Sequence, residues 1–276
     1  MKKLLFIIAT ALFPLVSAAQ KADSVSALRF VYEFSKPGSE HFGNDRENLD
    51  VLPDGSSHFY SIYDTRYYTI TTSEEEAQKE VDDKKSRKMG EPYQVFINGA
   101  DNELTFITTV PDDFYYKEKD QAPEWVFDDQ DTMTVCGYVC KKATTSYGGR
   151  SWTAWFAEEL PIPLGPWKLF GLPGLILSAH DADNFYQFTC IGMEQATIAP
   201  WKIETKGYTQ CTNMEYQKQL RLEAADPSGY FLRKLGISPE TIVKRTVLDQ
   251  NGNVVEEDKR PKDNRLYMEK LPEDKE

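Results

Sequence analysis

Apolar and polar residues alternate along much of this chain with a period of two, the spacing of a strand buried on one face. Leu28, Phe30, Tyr32 and Phe34 share one face of a segment whose other face carries Arg29 and Glu33, which predicts a half-buried strand. His58 to Thr71, rich in Tyr, Phe, Ile and Thr, predicts a long strand or a hairpin bent near Asp64. Pro92 to Ile97 and Leu104 to Val110 flank Asn98-Gly99, the dipeptide that a tight hairpin turn favours. Further strands are predicted over Met133 to Thr145, Ser151 to Phe156, Leu175 to Ala179, Phe185 to Ile191 and Ile242 to Leu248. Gly148-Gly149, His180 to Asn184 and Asn251-Gly252 supply turns between them. The expected fold class is mainly β: an antiparallel meander forming a curved sheet, half-barrel or sandwich, with about three peripheral helices.

The helices announce themselves by their caps. Ser73 with Glu76 makes a capping box for a surface helix running towards Gly90, and Thr212 with Glu215 repeats it for a second, to about Ala224. Asp226 followed by Pro227 starts a third, ending at Gly236.

The most specific run is Phe170-Gly171-Leu172-Pro173-Gly174-Leu175-Ile176-Leu177. Its glycines reach conformations closed to other residues, Pro173 fixes φ, and the apolar end suits a core strand. Nothing in it is a nucleophile, acid, base or metal ligand, so it is expected to be structural. Upstream stand Cys140 to Thr145, Gly149-Arg150, Trp152, Ala154-Trp155-Phe156, Pro161-Ile162-Pro163 and Gly165-Pro166. Together these residues resemble the GLPGLI family of secreted Bacteroidetes proteins, specifically over about residues 136 to 195. The resemblance implies a signal peptide, a mostly β extracytoplasmic domain with no established biochemical function, and an outer-membrane receptor of the TonB-dependent type as a candidate partner. The charged end from Lys259 to Glu276 departs from the family pattern.

Lys2 and Lys3, the apolar stretch from Leu4 to Val16 and the small residues Ser17, Ala18 and Ala19 predict a secretory signal peptide over residues 1–19. The stretch is too short for a spanning helix, and no second one occurs. Residues 20–257 are then expected to form a single β-rich domain, exported to the periplasm or beyond, and residues 258–276 a charged, disordered tail. Loss of Lys2 and Lys3 takes the formal charge from −12 to −14. Such a balance argues against nucleic acid and anionic lipid as partners.

In an oxidising compartment Cys136, Cys140, Cys190 and Cys211 are expected to form two disulfides. Were Met133 to Thr145 one strand, Cys136 and Cys140 would stand roughly 13 Å apart on one face, so each would pair with Cys190 or Cys211. A bulge at Gly137 would alter that spacing.

Catalytic patterns are scarce. The three histidines, His41, His58 and His180, sit in no metal or triad pattern, and no phosphate loop or cofactor motif occurs, so no cofactor is expected. Paired carboxylates could serve a hydrolase of glycan or peptide, the candidates being Glu124, Asp128, Asp129, Asp131, Glu158 and Glu159. A loose resemblance to the bowl-like N-terminal domain of bacterial peptide-N-glycosidases implies an accessory module even there. Aromatic residues make up 13% of the chain. Trp152 and Trp155 fall on opposite faces of one strand, so one of them, with Trp167 and Arg150, is expected to line a binding surface for an apolar, peptide or glycan ligand. The expected function is a non-catalytic envelope protein that binds a ligand or partner, with hydrolysis and a purely structural role as the alternatives.

Overall fold

Twelve strands hydrogen-bond side by side into one sheet built from two meanders. The computed structural model describes residues 24–36, 44–63, 90–119, 121–234, 236, 247–248, 254–255 and 268–271. The first meander comprises β1 (Val25–Ser35), β2 (Asp45–Val51), β3 (Ser57–Ser61), β4 (Tyr93–Ile97), β5 (Leu104–Thr108) and β6 (Phe114–Glu118). The second comprises β7 (Val126–Val135), β8 (Tyr138–Tyr147), β9 (Arg150–Ala157), β10 (Leu175–Asp181) and β11 (Gln187–Ile198). β1 and β11 join them antiparallel, with Phe34 opposite Phe188 and Tyr32 opposite Cys190. β12 (Thr209–Gln210) adds a short parallel strand to β6, so the sheet is mixed, curved and open, in keeping with the mainly β class read from the sequence.

One face of this sheet is the core. Phe30, Tyr32, Phe34, Leu49, Phe59, Val95, Phe106, Tyr116, Trp152, Phe156 and Phe188 are buried on it. Their in-register rows, such as Leu49 between Phe30 and Phe59, follow from the period of two. The rings are in direct contact, Phe34 stacking on Phe188 at 4.5 Å and Phe106 on Tyr116 at 4.8 Å.

Two helices follow the sheet. α1 (Asn213–Ala225) starts with the expected capping box, Thr212 and Glu215 bonding each other's backbone. α2 (Pro227–Lys234) begins at the predicted proline. Residues 73–89 of the expected surface helix and residues 64–71 of the predicted long strand lie outside the described residues, as does the leader expected over residues 1–19. A short hairpin of β13 (Val247–Leu248) and β14 (Val254–Val255) occupies part of the Ile242 to Leu248 prediction.

Two expectations are corrected, and one strand is added to those expected. Met133 to Thr145 is not one strand: Cys136 and Gly137, at φ 49° and 84°, turn the chain between β7 and β8. Asp45 to Val51, over which no element is predicted above, is also a strand. The tail expected to be disordered contributes residues 268–271, where Glu269 and Leu271 are buried.

Among the described residues no helix is long and apolar enough to cross a membrane.

Candidate functional site

The connection between β9 and β10 carries the run Leu164 to Phe170 across the core face, and every residue of it is buried. Its backbone is closed by short bonds: Leu169 N donates to Pro166 O, Gly171 N to Pro163 O and Leu175 N to Leu160 O. The glycine-rich run ends this loop for a steric reason. Gly171 has φ 93°, and a Cβ on Gly174 would overlap the carbonyl of Ala157. Leu172, Leu175 and Ile176 are anchored in the core while Pro173 is exposed. Trp125 Nε1 donates to Phe170 O at 2.8 Å, and Tyr32 Oη donates to Ile176 O at 2.7 Å. These contacts close the loop in which Lys168 lies.

Lys168 is fully buried. Its ammonium lies 4.9 Å from the ring centre of Tyr116 and 5.5 Å from those of Phe106 and Trp167. It donates to Glu269 Oε1 at 2.6 Å and to Glu118 Oε2 at 3.3 Å. Burial disfavours the charge, but Glu269 and the other groups around it outweigh burial and hold the pKa well above the ordinary lysine value. The same surroundings act on Tyr147, whose hydroxyl burial pushes up to about 12.

A second centre on the core face is acidic. Asp45 and Glu47, two residues apart on β2, face inwards beside Ser61, Glu91 and Tyr93. Glu47 accepts a hydrogen bond from Tyr93 Oη at 3.0 Å, and its Oε2 has no partner among the described residues. Burial, and then the charges of Asp45 and Glu91, raise its pKa well above the usual carboxyl range. Asp45 accepts from Ser61 Oγ and from the backbone N–H of Glu91 and Arg46, but burial still lifts it to about 6. Lys36 pairs with Glu91 at the margin.

Arg150 and Asp181 form a third centre, a buried ion pair at 2.8 Å with the guanidinium 4.7 Å from the ring centre of Tyr186. Asp181 also accepts the backbone N–H groups of Phe185 and Tyr186. This is where the structure places the surface expected around Arg150. Arg150, Trp152 and Trp167 do come together, with Trp152 and Trp167 at 5.6 Å, but all three are buried. Trp155 faces the other side of β9 and is half-buried. Trp152 is packed because the β9–β10 loop covers its side of the sheet, while Trp155 stands on the other side.

On the opposite face of the first meander Arg29 holds Asp50 through two hydrogen bonds of 2.7 and 2.9 Å. His58 stacks on Phe96 at 4.0 Å and on Tyr60 at 4.4 Å, and burial lowers its pKa to about 4.

Most of the carboxylates singled out from sequence face solvent. Glu124, Asp131, Glu158 and Glu159 are exposed and Asp128 is half-exposed. Lys142 pairs with Asp128 and Asp131, and Lys141 with Glu158. Asp129 lies on β7. No group of three or more His, Cys, Asp or Glu among the described residues could hold a metal ion.

The two expected disulfides are absent, since all four cysteines are free. Cys136, at the exposed β7–β8 turn, directs its thiol to Cys190 O at 2.9 Å, and burial pushes the Cys190 thiol up to about 12. Cys211 lies against Tyr115 O on β6, next to one edge of the strand order, while Cys140 on β8 lies next to the other.

Sequence reasoning missed Lys168, Glu47 and Asp45. One signal for Lys168 was present: it is the only charged residue between Leu160 and Phe170.

No family model matches the chain, and no curated protein matches it. Among solved structures, the chain is similar to PNGF-II in its P21 crystal form, with a TM-score of 0.44 and 15% sequence identity over 70% of this chain and 33% of that one. The C2 form gives 0.45 and 14%, over 70% and 32%. The chain thus spans about a third of the length of the PNGF-II structures it resembles.

Proposed function

We propose that this chain is an exported envelope protein of the GLPGLI type that binds a ligand or a protein partner without transforming it. One observation supports this reading above the others: an ionised lysine, Lys168, is held inside a ring of aromatic side chains by a loop whose turn residues serve to place it. Desolvated charge within an aromatic enclosure is expensive to maintain as packing alone, and it is the usual composition of a recognition site. The leader over residues 1–19 and the motif run support export and the family. An outer-membrane receptor of the TonB-dependent type is the partner this setting favours.

The test is to isolate the mature protein from its native envelope fraction and weigh it under native and then denaturing conditions, alongside cross-linking in intact cells. The expected result is an added mass lost on denaturation, or a single cross-linked partner that Lys168→Met releases while the variant remains folded. A bare chain with no cross-linked partner would instead indicate a structural role.

A further inference from the structure

Residues 268–271 are seated on the core face as a bound peptide would be. The Glu269 carboxylate accepts from Lys168 Nζ at 2.6 Å and from Asn213 Nδ2 at 2.8 Å. The carbonyl of Glu269 accepts from Arg221 Nη2 at 2.8 Å, and Lys270 N donates to Gly148 O at 2.7 Å. Leu271 is buried, and a Cβ on Gly149 would come within 2.8 Å of Lys270 O. The β9–β10 loop, α1 and the β8–β9 turn thus read one side-chain charge, the peptide group that follows it and one apolar side chain.

We propose that this seat is a recognition site for an acidic peptide segment of the pattern Glu-x-Leu, and that the chain's own residues 268–271 occupy it in place of that ligand. The proposal rests on the binding role proposed above and names the class of ligand. Three observations point to exchange rather than to a permanent joint. First, Lys168 and Asn213 each have a second acceptor on Glu118, at 3.3 and 3.1 Å, so neither donor is stranded when Glu269 leaves. Second, main-chain atoms supply two of the four polar contacts, and any peptide presents those. Third, residues 268–271 contribute no strand to the order of the twelve-stranded sheet, so its ladder is laid down without them.

A segment tethered to its own site acts at an effective concentration of ~mM, which masks the site from a free peptide. Releasing the segment should therefore unmask it.

The probe is a fluorescent synthetic peptide of residues 266–273, titrated by anisotropy into full-length wild type and full-length Glu269→Ala, with Leu271→Asp as a second releasing variant. Thermal melts report folding of each. The expected result is binding at least about tenfold tighter to the variants than to wild type. The peptide with glutamine at its position 269 should bind the variants about tenfold to a hundredfold more weakly, the loss of one charge-assisted contact. Equal binding to all three proteins, no binding to the folded variants, or no discrimination against the glutamine peptide would overturn the proposal. So would failure of both variants to fold, which would make the segment a fixed part of the structure. Should the folded variants ignore the peptide and yet retain a small molecule from the envelope fraction under native mass measurement, the peptide class is wrong and the binding role stands.

Discussion

The centres at Lys168 and Glu47 lie on the same face of the same sheet and solve opposite problems. At Lys168 the protein keeps a buried charge by surrounding it with two carboxylates and three rings. Among the described residues no cation pairs with the Glu47 carboxyl and one of its oxygens has no partner, and the neighbours Asp45 and Glu91 are themselves acidic. There the cheaper course is to take up a proton. One centre is therefore an ion assembly that breaks when its cation is removed, and the other holds a carboxyl, Glu47, that burial and its acidic neighbours favour in the protonated form. The ion assembly suits recognition of a charged ligand, since its attraction is already desolvated. The acidic cluster makes the fold sensitive to pH.

The largest test of this contrast is Lys168→Met. It leaves Glu118 and Glu269 facing each other without their cation, and a loss of about 3–5 kcal/mol is expected in urea denaturation. A loss below about 1 kcal/mol would mean that the assembly contributes little and that the rings alone hold the loop.

At the acidic cluster the sign is different. Glu47 has a folded pKa raised above the ordinary value of 4.5, so its contribution to stability is fully present below that pH and is lost as pH rises through the folded value. Asp45 acts likewise from its ordinary 3.8 up to about 6. Glu47→Gln keeps an acceptor for Tyr93 and cannot ionise. Its stability relative to wild type should grow by up to about 1.4 kcal/mol per pH unit above pH ~4.5. Parallel curves between pH 4 and 8 would show that Glu47 is not the titrating group.

Gly174→Ala probes how the loop that carries Lys168 is held. The added methyl must displace the Ala157 carbonyl, and about 1–3 kcal/mol of destabilisation is expected from chemical denaturation. A neutral effect would mean that the loop enters β10 with room to spare. The smallest effect belongs to Asp131→Asn, which removes an exposed carboxylate from Lys142 while Asp128 remains beside it. Stability should change by less than about 0.5 kcal/mol.

The contrast also shows which parts of the structure the sequence made legible. The Thr212 and Glu215 capping box and the alternation of β1 are local signals that formed where local chemistry said they would, whereas the hairpin expected to turn tightly at Asn98-Gly99 connects β4 to β5 over residues 98–103 with Asn102 at positive φ. β2 was invisible because Asp45, Arg46, Glu47, Asn48 and Asp50 read as a polar loop. Its inward carboxyls are tolerated only because Ser61, Tyr93 and the Glu91 amide converge on them from other strands. The β7–β8 turn was hidden by Cys136, a residue that rarely adopts positive φ. The burial of Arg150, Trp152 and Trp167 depends on the covering loop, whose path across the core face no periodicity encodes. Lys168 is recognisable as a lone charge among apolar residues, but its cage is assembled from Phe106, Tyr116 and Glu269, as far as 101 positions away. Local patterning gave the strands, and long-range convergence built the charged centres.

The most direct measurement is the nitrogen-15 spectrum of the lysine side chains in the intact protein, with the Lys168 signal assigned by its loss in Lys168→Met and followed from pH 6 to pH 11. The account predicts one ammonium resonance that exchanges slowly with water, does not titrate at the ordinary lysine pKa and shifts when Glu269→Ala releases the tail. A Lys168 signal that titrates at or below the ordinary value, or that is indifferent to Glu269→Ala, would contradict the caged cation on which the proposed binding role depends.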